Sequence, residues 1–416
     1  MRRPGARGWA RTSPTSPACQ RSWPMDSGFP GRTAFGDQTF LIGEQAAGQR
    51  LREELRLRGL RRVVVFASAS ARASGVVDEV VASALSDCEV RMWSGTILAH
   101  APIAQIEQIA ATLQDDGGEI DALLSIGGGK VVDTAKGVAI VLAEGAPLER
   151  HRAHRNETGT MVYPPLSRPK LPIVAVPTTL SGAEVTPGCG LTTDQGRKRI
   201  FWDRKISARV ICHAPEVLGT VPAEVLTTSG MNALAHCAEA MYSKTSGHLA
   251  SAFAAMGAEY LASGLLGFRD GPPEALSSLG AGSSLAALAI CNARTGLHHA
   301  ICHVLGGMFK IPHGDANSIV LPHALRFNLP ATLPQQERFL RAVAVSVPLS
   351  AGATAPDAVA TLQSLLGVPT RLREAGIAES ELGRAAEAVL DDPARFYNPR
   401  DIRSAAEVET VLRAAW

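Results

Sequence analysis

Two hydrophobic periodicities divide the chain. In its first half, short uninterrupted apolar runs alternate with amphipathic stretches. Residues 62–67 (RVVVFA), 89–93, 122–126 (ALLSI) and 171–176 read as strands, and 44–60, 105–114 and 131–142 as helices. Apolar strands without polar alternation, separated by helices, predict a parallel sheet covered on both faces. Beyond about residue 213 the period becomes helical and strand signals nearly vanish. Ala- and Leu-rich helices are expected over 226–241, 248–266, 277–293, 297–305, 334–345, 355–366 and 379–390. The pattern predicts an α/β domain over 31–213 and an all-helical domain over 214–416.

Composition changes this picture mainly at the N-terminus. Residues 1–30 are rich in Pro, Ser, Gly and Arg and are expected to be disordered or not translated, with Met25 as the natural start. Six arginines and one acid fall within the first 35 residues. They leave 35 basic against 38 acidic side chains in the body, although the whole chain carries +2. That balance gives no basic footprint for nucleic acid. Seven cysteines without a CxxC pair point to reduced thiols in a cytoplasm. No window approaches eighteen apolar residues, so no membrane span is expected.

Two kinds of loop and one cluster carry candidate chemistry. Gly127, Gly128 and Gly129 stand between an apolar strand and a helix, where glycines allow close approach to a phosphate and the helix start offers free N–H groups. Lys130 in that first turn opposes the helix dipole unless an anion is present. Thr178 and Thr179 begin a second loop at a strand end, in position to hold a ribose or nicotinamide. Five of the eleven histidines (His298, His299, His303, His313, His323) fall within residues 296–328. His299 and His303, at i and i+4, share a helix face, and Pro312 and Gly314 place His313 in a turn. Asn232 and His236 form another i,i+4 pair. Such a cluster can ligate a metal, move protons near neutral pH or hydrogen-bond within a core.

The motifs GRTAFG (31–36), GGGKVVDTAKGVA (127–139), PTTLSGAEVTP (177–187), SGMNALAHCAEAMY (229–242), the stretch 296–328 and YNPR (397–400) occur in fixed order. With them the chain resembles the iron-containing (group III) alcohol dehydrogenases, and within these the maleylacetate reductase branch. The resemblance implies a Rossmann-like nucleotide-binding domain joined to a helical catalytic domain, a dehydroquinate synthase-like plan. It also implies NADH or NADPH held by Gly127, Gly128, Gly129, Lys130, Asp133, Thr178, Thr179 and Ser68. The general family binds Fe²⁺ or Zn²⁺ through one Asp and three His. His236, His299 and His313 match the histidines, but Asn232 stands at the Asp position, which removes the only anionic ligand and predicts weak metal binding; resemblance to the maleylacetate reductase branch, whose members work without a metal, implies that none is bound.

In that reading the vestigial site Asn232, His236, His299 and His313 works with His303 as a catalytic set. His303 and His313 act as hydrogen-bond donor and acid, and the others line the pocket. The implied reaction is hydride transfer to the C=C of maleylacetate, giving 3-oxoadipate in aromatic-compound degradation. Cations for the dicarboxylate substrate are sought in Arg197, Lys198, Arg199, Arg204 and Lys205, and Arg72 after the first strand is placed to meet a 2′-phosphate. The alternatives are a metal-dependent alcohol dehydrogenase, a reductase of another keto acid and a dehydroquinate synthase-type lyase. A cytoplasmic homodimer without nucleic-acid or membrane partners is expected.

Overall fold

A computed structural model describes residues 37–157, 161–269 and 272–416. The expectations for residues 1–30 and the motif at 31–36 lie outside the described residues. Ten strands run in chain order: β1 Thr39–Ile42, β2 Arg62–Ala67, β3 Glu89–Met92, β4 Ala122–Gly127, β5 His154–Arg155, β6 Met161–Val162, β7 Ile173–Pro177, β8 Gly188–Thr192, β9 Lys198–Trp202 and β10 Val210–His213. Six of them form one sheet in the order β1-β10-β7-β4-β2-β3, parallel throughout. The helices α1 Gln49–Arg58, α2 Ala69–Ala73, α3 Val76–Ala84, α4 Ile103–Asp115 and α5 Gly129–Glu144 connect these strands.

The uninterrupted apolar strands are explained by two cores, one on each face. In β2, Val64 and Phe66 point into one cluster with α4 and α5, while Val63, Val65 and Ala67 join another with α1 and α3. A strand buried on both sides has no polar face to show in its sequence.

After His213 every element is helical: α6 Pro215–Leu218, α7 Ala223–Tyr242, α8 His248–Gly267, α9 Pro273–Asn292, α10 Leu297–Phe309, α11 His313–Val343, α12 Ala355–Leu366, α13 Leu382–Val389 and α14 Ala405–Ala415. Three expectations need correction. His313 does not sit in a turn. It is the first residue of α11, with Pro312 at the N-cap, a conformation that proline's fixed φ favours. The helix expected over 334–345 is the far end of that same α11, which continues through Pro322, Pro330 and Pro334 with a kink at Thr332 (φ −139°, ψ 23°). Finally, α8 and α9 are long and apolar enough to cross a membrane by length and composition. They pack against each other and α7 in the helical core, which accounts for their apolar character.

Candidate active site

The nucleotide side of the site is built from backbone. Gly127 ends β4 with φ +150°, and a Cβ there would lie 2.7 Å from Val131 Cγ2. At Gly128, the N-cap of α5, a Cβ would meet Thr179 at 2.9 Å, and no side chain caps the helix. Val131 N donates to Gly128 O at 2.9 Å, which leaves the N–H groups of Gly129 and Lys130 for an outside acceptor, in a cradle that any side chain would fill, and these residues fit a dinucleotide pyrophosphate.

Ser68, buried at the end of β2, accepts from Ala71 N at 3.1 Å and flanks Gly127. Thr178 N donates to Gly127 O at 3.2 Å, joining the two loops. Lys130 is exposed in the first turn of α5. Asp133 accepts from Gly190 N at 3.2 Å, and burial raises its pKa. Its contact is thus with the antiparallel hairpin β8–β9. Lys136, fully buried, donates to the carbonyls of Ala183, Thr186 and Gly188 at 2.5, 2.7 and 2.7 Å, and moors the Thr178 loop to that hairpin. Arg72 donates to Trp93 O.

The two halves meet where Leu180 N donates to Ser229 Oγ on α7 at 3.2 Å, three residues ahead of Asn232. Asn232, His236 and Glu239 fall at i, i+4 and i+7, on one face of α7. Across from them α10 carries His298, His299 and His303, and α11 begins with His313. Gly314 allows the close approach of α11 to α7, since a Cβ there would stand 2.7 Å from Thr228.

The histidine rings converge. His236 stacks on His299 at 4.7 Å between centroids, His299 lies 6.1 Å from both His303 and His313, and His303 parallels His313 at 6.3 Å. Burial lowers the pKa of His236 and His299 well below the usual imidazole range, and neighbouring imidazoles add to the effect. His313 is pushed down to about 3 by burial and then by His303. His313 is exposed and His236 half-buried, with its Nδ1 buried and without a hydrogen-bond partner among the described residues.

Glu239, which the sequence reading left without a role, organises this side. Its Oε1 accepts from Gly296 N and His298 N at 2.9 and 3.0 Å, and its Oε2 accepts from His299 Nδ1 at 2.6 Å. Burial raises its pKa to about 6, so it is ionised at pH 7. His299 Nδ1–H is committed to this carboxylate, and the Nε2 lone pair faces Asn232 Oδ1 at 3.3 Å. Asp392 does the same for the exposed His303, accepting from Nδ1 at 2.9 Å. Both partners come from distant sequence, although the i+7 spacing of Glu239 was available as a signal.

Two acceptor lone pairs aimed at each other need something between them or a turned amide. A divalent cation would satisfy them, with His236 and His313 as further ligands and Glu239 behind His299 as a supporting carboxylate. The residues therefore fit a metal, and the expectation that none is bound gains no support from the geometry. Glu239, His298 and His299 also bring ligand atoms within 4.8 Å of one another. There, however, the carboxylate already accepts three hydrogen bonds and His298 Nε2 donates to Asn317 O at 3.2 Å.

A parallel sheet with a glycine cradle at its strand ends, facing a buried imidazole cluster in a helical half, defines a nucleotide-dependent oxidoreductase of two-domain plan. The chain belongs to the iron-containing alcohol dehydrogenase family: the family model "Iron-containing alcohol dehydrogenase" matches residues 38–215 and "Fe-containing alcohol dehydrogenase family, C-terminal" matches 226–416. It is similar to a maleylacetate reductase from a Pseudomonas species, 31% identical over 371 residues that cover 88% of this chain and 93% of that protein. It is also similar to the lactaldehyde reductase of Escherichia coli, 26% identical over 388 residues covering 91% and 98%. The solved structure of an iron-containing alcohol dehydrogenase from Corynebacterium glutamicum superposes with a TM-score of 0.77 at 28% identity, over 93% of this chain and 97% of that one.

Proposed function

We propose that the chain is an NAD(P)H-dependent maleylacetate reductase, which reduces the C=C of that unsaturated keto dicarboxylate to give 3-oxoadipate. The observation that carries this reading is the neutral amide of Asn232 facing the buried imidazole of His299, in a chain 31% identical to a maleylacetate reductase. Bound NAD(P)H supplies the hydride, delivered to the carbon β to the ketone. The glycine cradle and the Thr178 loop orient the cofactor.

The ketone oxygen gains charge as the enolate forms, and His313, neutral at pH 7, is suited to donate an N–H hydrogen bond to it. The proton for the α-carbon then falls to His303, the reverse of the two roles expected from the resemblance: Asp392 orients its ring through Nδ1 and leaves Nε2 to face the substrate. His236 and His299 line the pocket. A metal held by Asn232, His236, His299 and His313 would polarise a substrate oxygen.

The test is NADH and NADPH oxidation with maleylacetate on metal-stripped protein, with and without added Zn²⁺ or Fe²⁺. Turnover without metal supports the reading in full. The opposed lone pairs of Asn232 and His299 favour a second reading, a metal-dependent alcohol dehydrogenase. Silence with maleylacetate and turnover of lactaldehyde on adding metal would establish it in place of the first.

A further inference from the structure

Two of the cations expected to meet a dicarboxylate are engaged elsewhere. Arg199 pairs with Glu149 at 3.1 Å and Lys205 with Asp203 at 3.0 Å. A different guanidinium stands ready. Arg294 lies in the turn between α9 and α10, its Cζ 5.1 Å from the centroid of Trp202 and 5.7 Å from that of Tyr397. Among the described residues it has no carboxylate partner. Aromatic faces cover the planes of a guanidinium and leave its N–H edge directed outward, the edge that a carboxylate meets with two parallel hydrogen bonds.

Trp202 adds a second donor. Its Nε1–H is buried and has no hydrogen-bond partner among the described residues. The ring is held by the hairpin, where Gly188 opposes it so closely that a Cβ would lie 2.7 Å from Trp202 Cε3. An unpaired indole N–H beside an unpaired guanidinium is a donor set without its anion.

Both donors are tied to the histidine side. Two residues after Arg294, Gly296 N is held by Glu239, the carboxylate that orients His299, and Leu297 N donates at 3.2 Å to Asn398 Oδ1, next to Tyr397. Trp202 ends the strand that Lys198 begins and packs against Arg294, so it shares that tie.

We propose that Arg294 and the Trp202 indole N–H form a carboxylate subsite that selects dicarboxylic over monocarboxylic acids. The proposal rests on the reductase reading only for the reacting end of the substrate; the subsite itself binds the distal carboxylate.

Isothermal titration of the enzyme saturated with NADP⁺ with glutarate and with valerate, which differ in the second carboxylate, tests it on wild type, Arg294→Lys, Arg294→Ala and Trp202→Phe. Wild type is expected to bind glutarate about tenfold or more tightly than valerate. Arg294→Lys, which keeps the charge but loses the fork, should weaken glutarate about tenfold and leave valerate and NADP⁺ unchanged, with Arg294→Ala weaker still and Trp202→Phe intermediate. Unchanged NADP⁺ affinity verifies folding, and Arg294→Lys carries the test if Arg294→Ala does not fold.

Equal binding of the two acids by wild type, or equal glutarate binding by wild type and Arg294→Lys, overturns the subsite even if maleylacetate is reduced. Selective loss of glutarate binding supports it even if maleylacetate is not a substrate, in which case the reductase reading fails alone.

Discussion

The nucleotide half and the imidazole half of the site are built on opposite principles. Around Gly127 and Gly128 the groups proposed to hold the cofactor are backbone N–H groups, and the sequence contributes mainly by leaving side chains out. Around Glu239 the working groups are side chains whose protonation is set by burial and by partners on other helices. A backbone site tolerates changes of pH and fails by steric filling. A buried side-chain site tolerates small changes of shape and fails when a charge is forced on it or a partner is lost.

The largest expected effect follows from the second case. Five histidines of the helical half (His236, His298, His299, His313 and His323) have pKa values lowered by burial, His313 to about 3 and His323 to about 4. In the unfolded chain they titrate near 6.5. Between these limits the unfolded state binds more protons, so stability rises with pH and is lost on acidification, by up to about 1.4 kcal/mol per pH unit for each group except His313, whose exposed ring is screened by solvent and contributes less. Glu239, raised to about 6, works in the opposite sense between about 4.5 and 6, as a single group against five. Thermal denaturation from pH 7.5 to 4.5 should show a steep fall in Tm. A flat profile would mean that the imidazoles are charged when folded.

Activity comes next. His303→Ala or His313→Ala should each lower kcat by roughly 10²- to 10⁴-fold, as for general acid–base groups. Near wild-type turnover of both variants would remove the assigned roles. On the other side, Gly127→Val meets both the positive φ and Val131, and should weaken NAD(P)H binding by about a hundredfold while the pH profile of the remaining activity stays unchanged. An altered profile would mean that the two halves are not separable. Asn232→Asp places a carboxylate oxygen opposite His299 Nε2 and should raise Zn²⁺ affinity about 10- to 100-fold in equilibrium dialysis. No gain would mean that the lone pairs meet a turned amide and not an ion.

The same contrast explains what could be read in advance. The strands of the large sheet were legible because both their faces are apolar, and the glycine cradle because its signal is contiguous. The i,i+4 pairs on α7 and α10 were legible for the same local reason. The hairpin was hidden: GCGLT and KRIFW are short, partly exposed and charged, with two glycines where alternation should appear. The first half of α11 was hidden by its prolines, which break local pattern but not a helix packed on its neighbours. Glu239, Asp392 and Arg294 were hidden because their roles depend on contacts from afar, 60 residues for Glu239 to His299 and 89 for Asp392 to His303. Local pattern reports which residues share a face; it does not report what that face meets.

The smallest effect probes one of those distant contacts. Asp392 does two jobs: Oδ2 accepts from His303 Nδ1, and Oδ1 accepts from Ala394 N at 2.8 Å at the start of a short helical turn. Asn at 392 keeps the cap, for which Asn and Asp serve about equally. Its amide offers His303 either a neutral acceptor or, turned over, a donor that forces the Nδ1 lone pair inward and moves the proton to Nε2. In both cases the ring loses the carboxylate that fixes its orientation. Asp392→Asn should therefore lower kcat about tenfold with little change in KM or Tm, and leave NAD(P)H affinity intact. Asp392→Ala should lose stability as well, through the cap. If Asp392→Asn changed Tm and left kcat in place, Asp392 would be a cap alone, and the imidazole side of the site would end at His303.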